Sequence, residues 1–270
     1  MFDMHLHTNA SHDSKAVPGE IIRMASGIGL SGIAFTDHFD NYKSTEENNA
    51  LPILNSYRNF LDSREEAARL KLRLLFGMEA GGGIRNPDNL KRLAGRLPFD
   101  VIIGSVHEIY YRGENVSLYD FDFRTLPPET LALFVETYYR DLYATMNTCD
   151  VDVCAHIDLI DRYIVGKHGI DYDRGAFREC VEAILELIIA KNIALEVNTS
   201  SCAAYGFTMP GPGILRTYKA MGGELLTVGS DAHVPGNTGG SFGECLEMIK
   251  SCGFRRLFYY SARKPFAYGI

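Results

Sequence analysis

The sequence predicts an α/β protein, a barrel of the TIM type that forms one domain over residues 1–270. The first observation is length, because 270 residues suit one large α/β domain and barrels often reach this size as a single unit. The second is that predicted strands and helices alternate throughout the chain, which requires a mostly parallel sheet with helical crossovers. The third is that no linker or low-complexity segment divides the chain.

Short apolar runs mark the predicted strands. In chain order these strands cover 2–7, 32–36, 73–78, 101–106, 151–155, 193–200, 225–229 and, as a final short strand, 256–260. Helices are predicted between them at 18–27, 52–71, 87–97, 126–148, 172–191, 210–221 and 240–252. The first helix begins with Pro18, a residue favoured at helix starts. Residues 110–125 are predicted to form a tyrosine-rich loop.

The charge balance narrows the classes of partner. Net charge is −7, from 27 Lys and Arg against 34 Asp and Glu, which argues against broad binding to nucleic acid or anionic membranes. The six cysteines show no CxxC motif and no signal peptide is in view, so a reduced, cytoplasmic protein is expected. The longest apolar runs are too short to span a membrane.

The amino-terminal strand carries a His-x-His motif, His5 and His7. Side chains alternate between the two faces of a strand, so both imidazoles point the same way and are placed to share a metal ion. The motif alone is a weak signal, because either histidine could be a hydrogen-bonded core residue.

A wider pattern strengthens the metal interpretation, because His and Glu residues recur at or next to the ends of the predicted strands. These residues are His7, His38, Glu79, His107, His156, Glu196 and His233. Barrels of this type keep their active sites at the carboxyl ends of their strands, whereas buried core histidines would fall anywhere along a strand. The pattern therefore predicts a metal site at one mouth of the barrel.

The candidate ligands outnumber what one ion takes. They are His5, His7, Asp13, His38, Glu79, His107, His156, Asp231 and His233. A first-row ion takes about four to six ligands, so nine candidates with one bridging carboxylate suit two or three ions. Imidazoles with a few carboxylates favour zinc, iron or manganese. Divalent ions about 3.5–4 Å apart are the arrangement that clamps a phosphoryl group.

These motifs, in their order along the chain, resemble those of the PHP (polymerase and histidinol phosphatase) superfamily. The matching motifs are His5-x-His7, Thr36-Asp37-His38, Gly77-Met78-Glu79, Ser105-Val106-His107, Ala155-His156 and Ser230-Asp231-Ala232-His233. Residues 156–163, 196–200 and 263–265 further resemble the histidinol-phosphate phosphatase branch. The resemblance implies a distorted TIM-like (β/α)7 barrel with a site for three divalent metal ions.

The resemblance also implies how the ligands divide among the three ions. The first ion takes His5, His7, Glu79 and Asp231; the second shares Glu79 and takes His107 and His156; the third takes Asp13, His38 and His233. The third ion's loop ligand is His or Asp in the family, and here His12 and Asp13 are adjacent. Ungapped counting from His7 favours Asp13.

The activity implied is that of a metal-dependent phosphomonoesterase, most closely L-histidinol-phosphate phosphatase of histidine biosynthesis, in which a metal-bound hydroxide attacks phosphorus. Arg162 would hold phosphate oxygens with the metals, because a planar guanidinium suits bidentate contact. Ser200 and Arg263 are further candidate substrate contacts, and Glu108 could receive the cationic end of histidinol. Asp231 and His233 are candidates for the acid that protonates the leaving alkoxide.

Several alternatives stay open at the level of sequence. Arg162 could instead pair with Asp158 or Asp161 at the surface. Glu196 could be a ligand or a hydrogen-bond partner of the ligands, and Asp37 is expected to orient them. For function, the alternatives are a PHP-type phosphodiesterase or exonuclease acting on nucleotides or short oligonucleotides, and a non-catalytic metal-binding or regulatory domain.

Overall fold

The computed structural model describes residues 1–40, 46–85 and 87–270. Its strands are β1 (Phe2–Leu6), β2 (Gly32–Phe35), β3 (Arg73–Ala80), β4 (Val101–Gly104), β5 (Glu108–Tyr111), β6 (Glu114–Ser117), β7 (Val153–Cys154), β8 (Ala194–Asn198), β9 (Leu226–Gly229), β10 (Arg256–Ser261) and β11 (Lys264–Gly269). Its α-helices are α1 (Pro18–Gly27), α2 (Glu46–Arg69), α3 (Pro87–Ala94), α4 (Pro128–Thr148), α5 (Leu159–Asp161), α6 (Arg178–Lys191), α7 (Cys202–Tyr205), α8 (Pro212–Ala220) and α9 (Phe242–Ser251). None of these described helices is long and apolar enough to cross a membrane.

Seven strands form one parallel sheet in the order β1-β2-β3-β4-β7-β8-β9. The sheet nearly closes on itself, because the segment after β9 returns to the end of β1. There Leu6 pairs with Ala232 in parallel, and the His7 backbone N–H donates to the Ala232 carbonyl at 3.0 Å. The prediction of a distorted, seven-stranded TIM-like barrel is confirmed.

The apolar core lies in two layers, one inside the barrel and one under the helices. A buried cluster takes Met4, Leu75, Ile103 and Val153 from strands around the sheet. Outside the sheet, helix α4 buries Phe134 and other residues of its inner face in the larger cluster. Burying both faces of a parallel sheet explains why its strands read as nearly continuous apolar runs.

Two β-hairpins lie outside the barrel and correct the sequence-based prediction. The predicted loop at 110–125 contains part of the hairpin β5–β6, and the predicted final strand is followed by a second strand, β11. Both turns have two central residues with positive φ: 52° and 89° at Arg112 and Gly113, 48° and 63° at Ala262 and Arg263. This is the geometry of a type I′ turn, whose sequence signal is Asn-Gly or Asp-Gly. Neither turn carries that signal, so the pattern was missed.

Helix boundaries differ most from prediction at two places. Helix α2 begins at Glu46, so Pro52 lies inside the helix rather than at its start. The predicted helix at 172–191 begins only at Arg178, after a 3₁₀ turn at 174–177. The Asp173 side chain accepts the Gly175 backbone N–H at 2.9 Å and thereby holds the tighter turn.

Candidate metal centre and active site

Glu79, near the end of β3, lies at the centre of a cluster of imidazoles. Its side chain is 1% exposed, and its Oε1 lies 2.9 Å from Nε2 of both His107 and His156. Its Oε2 lies 3.2 Å from His5 Nε2 and 3.0 Å from His38 Nδ1. Each histidine follows a different strand or lies in one, so the barrel brings them together at the carboxyl ends of the strands. One carboxylate thus faces donors from two sides, as a bridging ligand would.

A first group of donors joins Glu79 to His5, His7 and Asp231. His7 Nε2 lies 3.1 Å from Asp231 Oδ1 and 3.5 Å from Glu79 Oε2. One ligand atom from each of the four residues lies within 4.8 Å of the others, close enough to hold one metal ion. Asp231 has a φ of 52°, a backbone conformation rare for residues other than glycine, and such strain is often stored at functional sites.

Another group lies on the other side of His7 and contains Asp13, His38 and His233. Asp13 Oδ2 is 3.4 Å from His38 Nε2 and 3.2 Å from His233 Nε2, and those two nitrogens are 3.4 Å apart. The His12 ring is centred 5.5 Å from the His38 ring. The geometry supports Asp13 over His12 as the candidate loop ligand.

The centre of the cluster carries polar atoms whose bonding capacity is not used within the protein. His5 Nε2, His7 Nε2, His38 Nδ1 and Glu79 Oε2 are all buried and, although they approach one another, have no partner in hydrogen-bonding geometry among the described residues. Buried polar groups normally find partners, because leaving them unpaired costs folding free energy. Facing imidazole and carboxylate donors are the ligand set of zinc, iron and manganese. The donor set therefore fits several divalent metal ions, and the described residues form more than one group that can hold one.

The two central carboxylates are held in their ionised form. Burial alone would raise the pKa of Glu79, but the imidazoles around it, His107 and His5 foremost, keep that pKa well below its usual range. Burial likewise opposes ionisation of Asp231, and His5, His7 and His233 lower its pKa well below normal. Both side chains are therefore competent ligands at neutral pH.

A ring of further polar side chains supports the candidate ligands from behind. Glu196 Oε1 lies 2.6 Å from His5 Nδ1. Asp37 accepts the Ser11 hydroxyl at 2.7 Å, and that hydroxyl lies 3.1 Å from His7 Nδ1. The expected orienting role of Asp37 therefore reaches His7 through Ser11. Partners of this kind fix the ring orientation and the tautomer of metal-binding histidines.

Asp40 is a residue of this ring that sequence reasoning missed. Its Oδ1 lies 3.4 Å from His107 Nδ1, on the side of the ring away from Glu79. The signal was its spacing from His38, since residues two apart in an extended segment share a face. Gly81 makes the close approach possible: a Cβ at this position would lie 2.4 Å from both Asp40 Oδ1 and His107 Nδ1. The absence of a side chain at Gly81, just after β3, thus leaves room beside the cluster.

A cavity of about 810 Å³ opens above the cluster, and the candidate substrate contacts Arg162, Ser200 and Glu108 line it. Arg162 Nη1 donates to Ser200 Oγ at 2.9 Å and lies 4.0 Å from Asp231 Oδ2. Arg162 begins a π-helix, Arg162–Lys167, a rare form often found at functional sites. Its guanidinium is therefore part of the cavity wall.

The alternative left open by the sequence, a surface pairing of Arg162 with Asp161, is not what the structure shows. The carboxylate of Asp161 is instead held by the Tyr172 hydroxyl and by Arg174 Nη1, the latter at 3.3 Å.

Arg263 lies at the opposite end of the barrel, and the prediction that it contacts substrate is wrong. It occupies the turn between β10 and β11, and its Nε donates to Asp152 Oδ2. Its backbone N–H donates to the Asp100 carbonyl at 2.9 Å. Asp100 and Asp152 come just before β4 and β7, at their amino ends. The unforeseen final hairpin therefore carries Arg263 away from the cavity.

Comparison with known families is consistent with this geometry. Residues 3–200 match the family model described as the PHP domain. The chain belongs to the PHP domain family. The PHP match ends at Ser200, and Asp231 and His233 lie beyond it. The barrel brings this last part of the chain back to the start, where the Asp231 backbone N–H donates to the His5 carbonyl at 2.8 Å.

Relatives of the chain extend the PHP similarity over nearly its full length. A Clostridium acetobutylicum protein named "Probable histidinol-phosphatase" is 26% identical, with 96% of each chain covered. A histidinol-phosphatase of Lactococcus lactis is 27% identical, with 97% of this chain and 95% of that protein covered. Among solved structures, the L. lactis histidinol phosphate phosphatase complexed with zinc, L-histidinol and phosphate superposes with a TM-score of 0.76 at 23% identity, covering 98% of each chain. That similarity establishes the fold.

Proposed function

We propose that this PHP protein is a metal-dependent phosphomonoesterase that hydrolyses L-histidinol phosphate to L-histidinol and phosphate, a reaction of histidine biosynthesis. The observation that carries the proposal is that one cavity contains both the cluster around Glu79 and the guanidinium of Arg162. The names of the relatives support the choice of substrate. The ligands of the L. lactis structure support it further.

In this proposal the three groups of donors hold three divalent ions, which are zinc, iron or manganese. The first ion is held by His5, His7, Glu79 and Asp231, the second by Glu79, His107 and His156, and the third by Asp13, His38 and His233. When bound, such ions supply a nucleophile at neutral pH and positive charge beside the phosphate oxygens.

Arg162 and Ser200 are the proposed protein contacts of the phosphate group. The Ser200 hydroxyl accepts a hydrogen bond from Arg162 Nη1 at 2.9 Å and so limits the rotation of the guanidinium. The planar fork can then donate two parallel hydrogen bonds to phosphate oxygens, which fixes the phosphate in one orientation. Positioning and charge stabilisation are the main contributions that a protein makes to phosphoryl transfer.

The other end of the substrate would face the hairpin β5–β6. Glu108 begins this hairpin directly after His107, is 5% exposed and lines the cavity. We assign it to the amine or imidazole cation of histidinol, because a buried carboxylate favours a cation nearby. The leaving oxygen needs a proton. Of the two predicted sources, Asp231 and His233, both line the cavity, but Asp231 is held in its ionised form, so His233 is the proposed one.

The proposal is tested by measuring phosphate release from L-histidinol phosphate by the metal-depleted protein and by the same protein reloaded with Zn²⁺, Mn²⁺ or Fe²⁺. A generic aryl phosphate, a dinucleotide and a cyclic nucleotide serve as competing substrates. We expect turnover only after reloading and a preference for L-histidinol phosphate.

Two results would contradict the proposal. Preferred cleavage of the dinucleotide or cyclic nucleotide would identify a phosphodiesterase. Full metal content without turnover of any of these esters would identify a metal-binding protein without this activity.

A further inference from the structure

We infer that Glu196 is a positioning residue that holds ligands of two neighbouring metal positions at a fixed separation, and that Asn198 extends this hold to the phosphate contacts. The inference rests on the metal-binding part of the proposed function. It concerns hydrogen bonds between residues of the protein itself.

Glu196 contacts one member of each of two ligand groups. It lies in β8 and is 1% exposed. Its Oε1 lies 2.6 Å from His5 Nδ1, and its Oε2 accepts the backbone N–H of His156 at 2.9 Å. His5 belongs to the proposed first position and His156 to the second. A single rigid carboxylate therefore fixes the distance between the two.

The contact with His5 also selects the tautomer of that histidine. An ionised carboxylate can only accept hydrogen bonds, so Nδ1 of His5 must carry the hydrogen. The lone pair is then on Nε2, the atom that lies 3.2 Å from Glu79 Oε2 and faces the cluster. A carboxylate behind a histidine in this way is a common device for presenting the ring to a metal.

The fold around Glu196 is shaped to keep its carboxylate in place. A Cβ at Gly229, the last residue of β9, would lie 2.5 Å from Glu196 Oε1 and 2.4 Å from His5 Cβ. Only glycine therefore fits at this position. His156 has a φ of 20°, and its backbone N–H is the one that Glu196 accepts. Glu196 thus compensates for an unusual backbone conformation next to a candidate ligand.

Asn198 continues the chain of hydrogen bonds toward the phosphate contacts. Its Nδ2 donates to Glu196 Oε2 at 3.2 Å and to Asp231 Oδ2 at 3.4 Å. Its Oδ1 accepts the Ser200 hydroxyl at 2.7 Å, and Ser200 in turn accepts from Arg162. The connected path runs from His5 through Glu196, Asn198 and Ser200 to Arg162.

Glu196 is not itself placed as a ligand. Both of its oxygens are already engaged, one by His5 and the other by His156 and Asn198.

The test is Mn²⁺ binding to Glu196→Gln, measured by equilibrium dialysis and by electron paramagnetic resonance. The amide of glutamine replaces one carboxylate oxygen with an NH₂ group, which donates hydrogen bonds instead of accepting them. One of the contacts to His5 Nδ1 and the His156 backbone N–H is then lost, and the His5 tautomer is no longer fixed. We expect two Mn²⁺ equivalents to bind about tenfold to a hundredfold more weakly, while the third keeps its affinity. The signal of the spin-coupled Mn²⁺ pair should fall, and that of an isolated ion should remain.

Asp152→Asn is the matched control, because Asp152 is a buried carboxylate at the other end of the same barrel. Its Mn²⁺ binding should equal that of the unmodified protein. If Glu196→Gln does not fold, judged by circular dichroism of the metal-free protein, Glu196→Asp replaces it, since the shorter carboxylate keeps the charge but cannot reach both contacts. Equal weakening of all three equivalents, or unchanged binding, would overturn the inference.

The part played by Asn198 is tested with inorganic phosphate as the probe. Asn198→Ala should weaken phosphate binding about tenfold at saturating Mn²⁺, because Ser200 loses the two hydrogen bonds that its hydroxyl and backbone N–H donate to Asn198 Oδ1. The change in metal affinity should be smaller than the one that Glu196→Gln causes. Unchanged phosphate affinity would remove Asn198 from the inference. None of these measurements uses L-histidinol phosphate, so a wrong substrate assignment would leave their outcome unaffected.

Discussion

The two ends of the barrel both bury carboxylates, but they use them differently. At the amino end, Asp152 Oδ2 accepts the Ile102 backbone N–H at 2.7 Å and the guanidinium of Arg263. At the carboxyl end, Glu79 Oε2 and His5 Nε2 are buried and, within the part of the chain that the structure describes, have no partner in hydrogen-bonding geometry. The polar groups at the amino end are hydrogen-bonded to one another. At the carboxyl end, several imidazole nitrogens and carboxylate oxygens instead face the same central space.

This difference separates stability from function within one fold. A satisfied buried pair such as Arg263 with Asp152 closes the base of the barrel through the hairpin β10–β11. Buried polar atoms without hydrogen bonds cost folding free energy. They are expected to remain only where a bound ligand can use them. The comparison predicts that substitutions at the two ends will affect different measurements.

The largest effect is expected at the centre of the carboxyl end. Glu79→Gln should lower activity by on the order of a thousandfold, because an amide cannot supply charge to two ions. Metal analysis should show weakened binding at two positions together. Wild-type turnover with full metal content would show that Glu79 does not bridge.

A smaller effect is expected at the cavity wall. Arg162→Lys keeps the charge but loses the planar fork. Losing one charge-assisted hydrogen bond costs about 1.5–3 kcal/mol, or about tenfold to a hundredfold in kcat/KM. The loss should be equal for L-histidinol phosphate and an aryl phosphate, and metal content should not change. If the aryl phosphate were unaffected, Arg162 would not be a phosphate contact.

Glu108→Gln sharpens the distinction within the cavity. If this carboxylate binds the cation of histidinol, kcat/KM should fall about tenfold for L-histidinol phosphate. It should stay constant for an aryl phosphate, which has no such cation. Parallel assays of the two esters measure the ratio. An equal loss of kcat/KM for both esters would show that Glu108 does not bind the substrate cation and instead supports the neighbouring His107.

Two adjacent residues test the third metal position. Asp13→Ala should remove one metal equivalent, because Asp13 Oδ2 lies 3.4 Å from His38 Nε2 and 3.2 Å from His233 Nε2. His12→Ala should keep all equivalents and serves as the control. Elemental analysis of both variants distinguishes them, and the reverse result would assign the position to His12.

At the amino end we expect a change in stability without a change in activity. Burial raises the pKa of Asp152 to about 6, although Arg263 counteracts the shift. Since the folded pKa lies above the ordinary value of 3.8, ionisation of Asp152 reduces stability as pH rises from about 4 through 6.

Arg263→Met removes the compensating charge. It should therefore lower the unfolding free energy by about 1.5–3 kcal/mol at pH 8 and by less at pH 5, where Asp152 is largely protonated. Urea unfolding at both pH values measures this, and kcat should be unchanged. A loss of turnover by the folded variant would return Arg263 to the candidate active site.

Sequence reasoning succeeded where a local pattern carries the information. The alternation of strands and helices identified the barrel, and the position of His, Asp and Glu after strands identified the cluster. It failed at Arg263, because a type I′ turn formed by Ala262 and Arg263 has no glycine to signal it. It also missed Asp40, whose importance depends on a neighbour, His107, that is distant in the chain.

The sequence by itself determined the kind of site to expect, since the residue types and their order after successive strands already predict a metal-binding cluster at one mouth of a barrel. Only the tertiary structure decided which atoms meet. Nearly closing the sheet between β9 and β1 places Asp231 against His7, and β8 inserts Glu196 behind His5. The physical reason is that ligand geometry depends on distances between strands, which barrel closure sets and no single segment encodes.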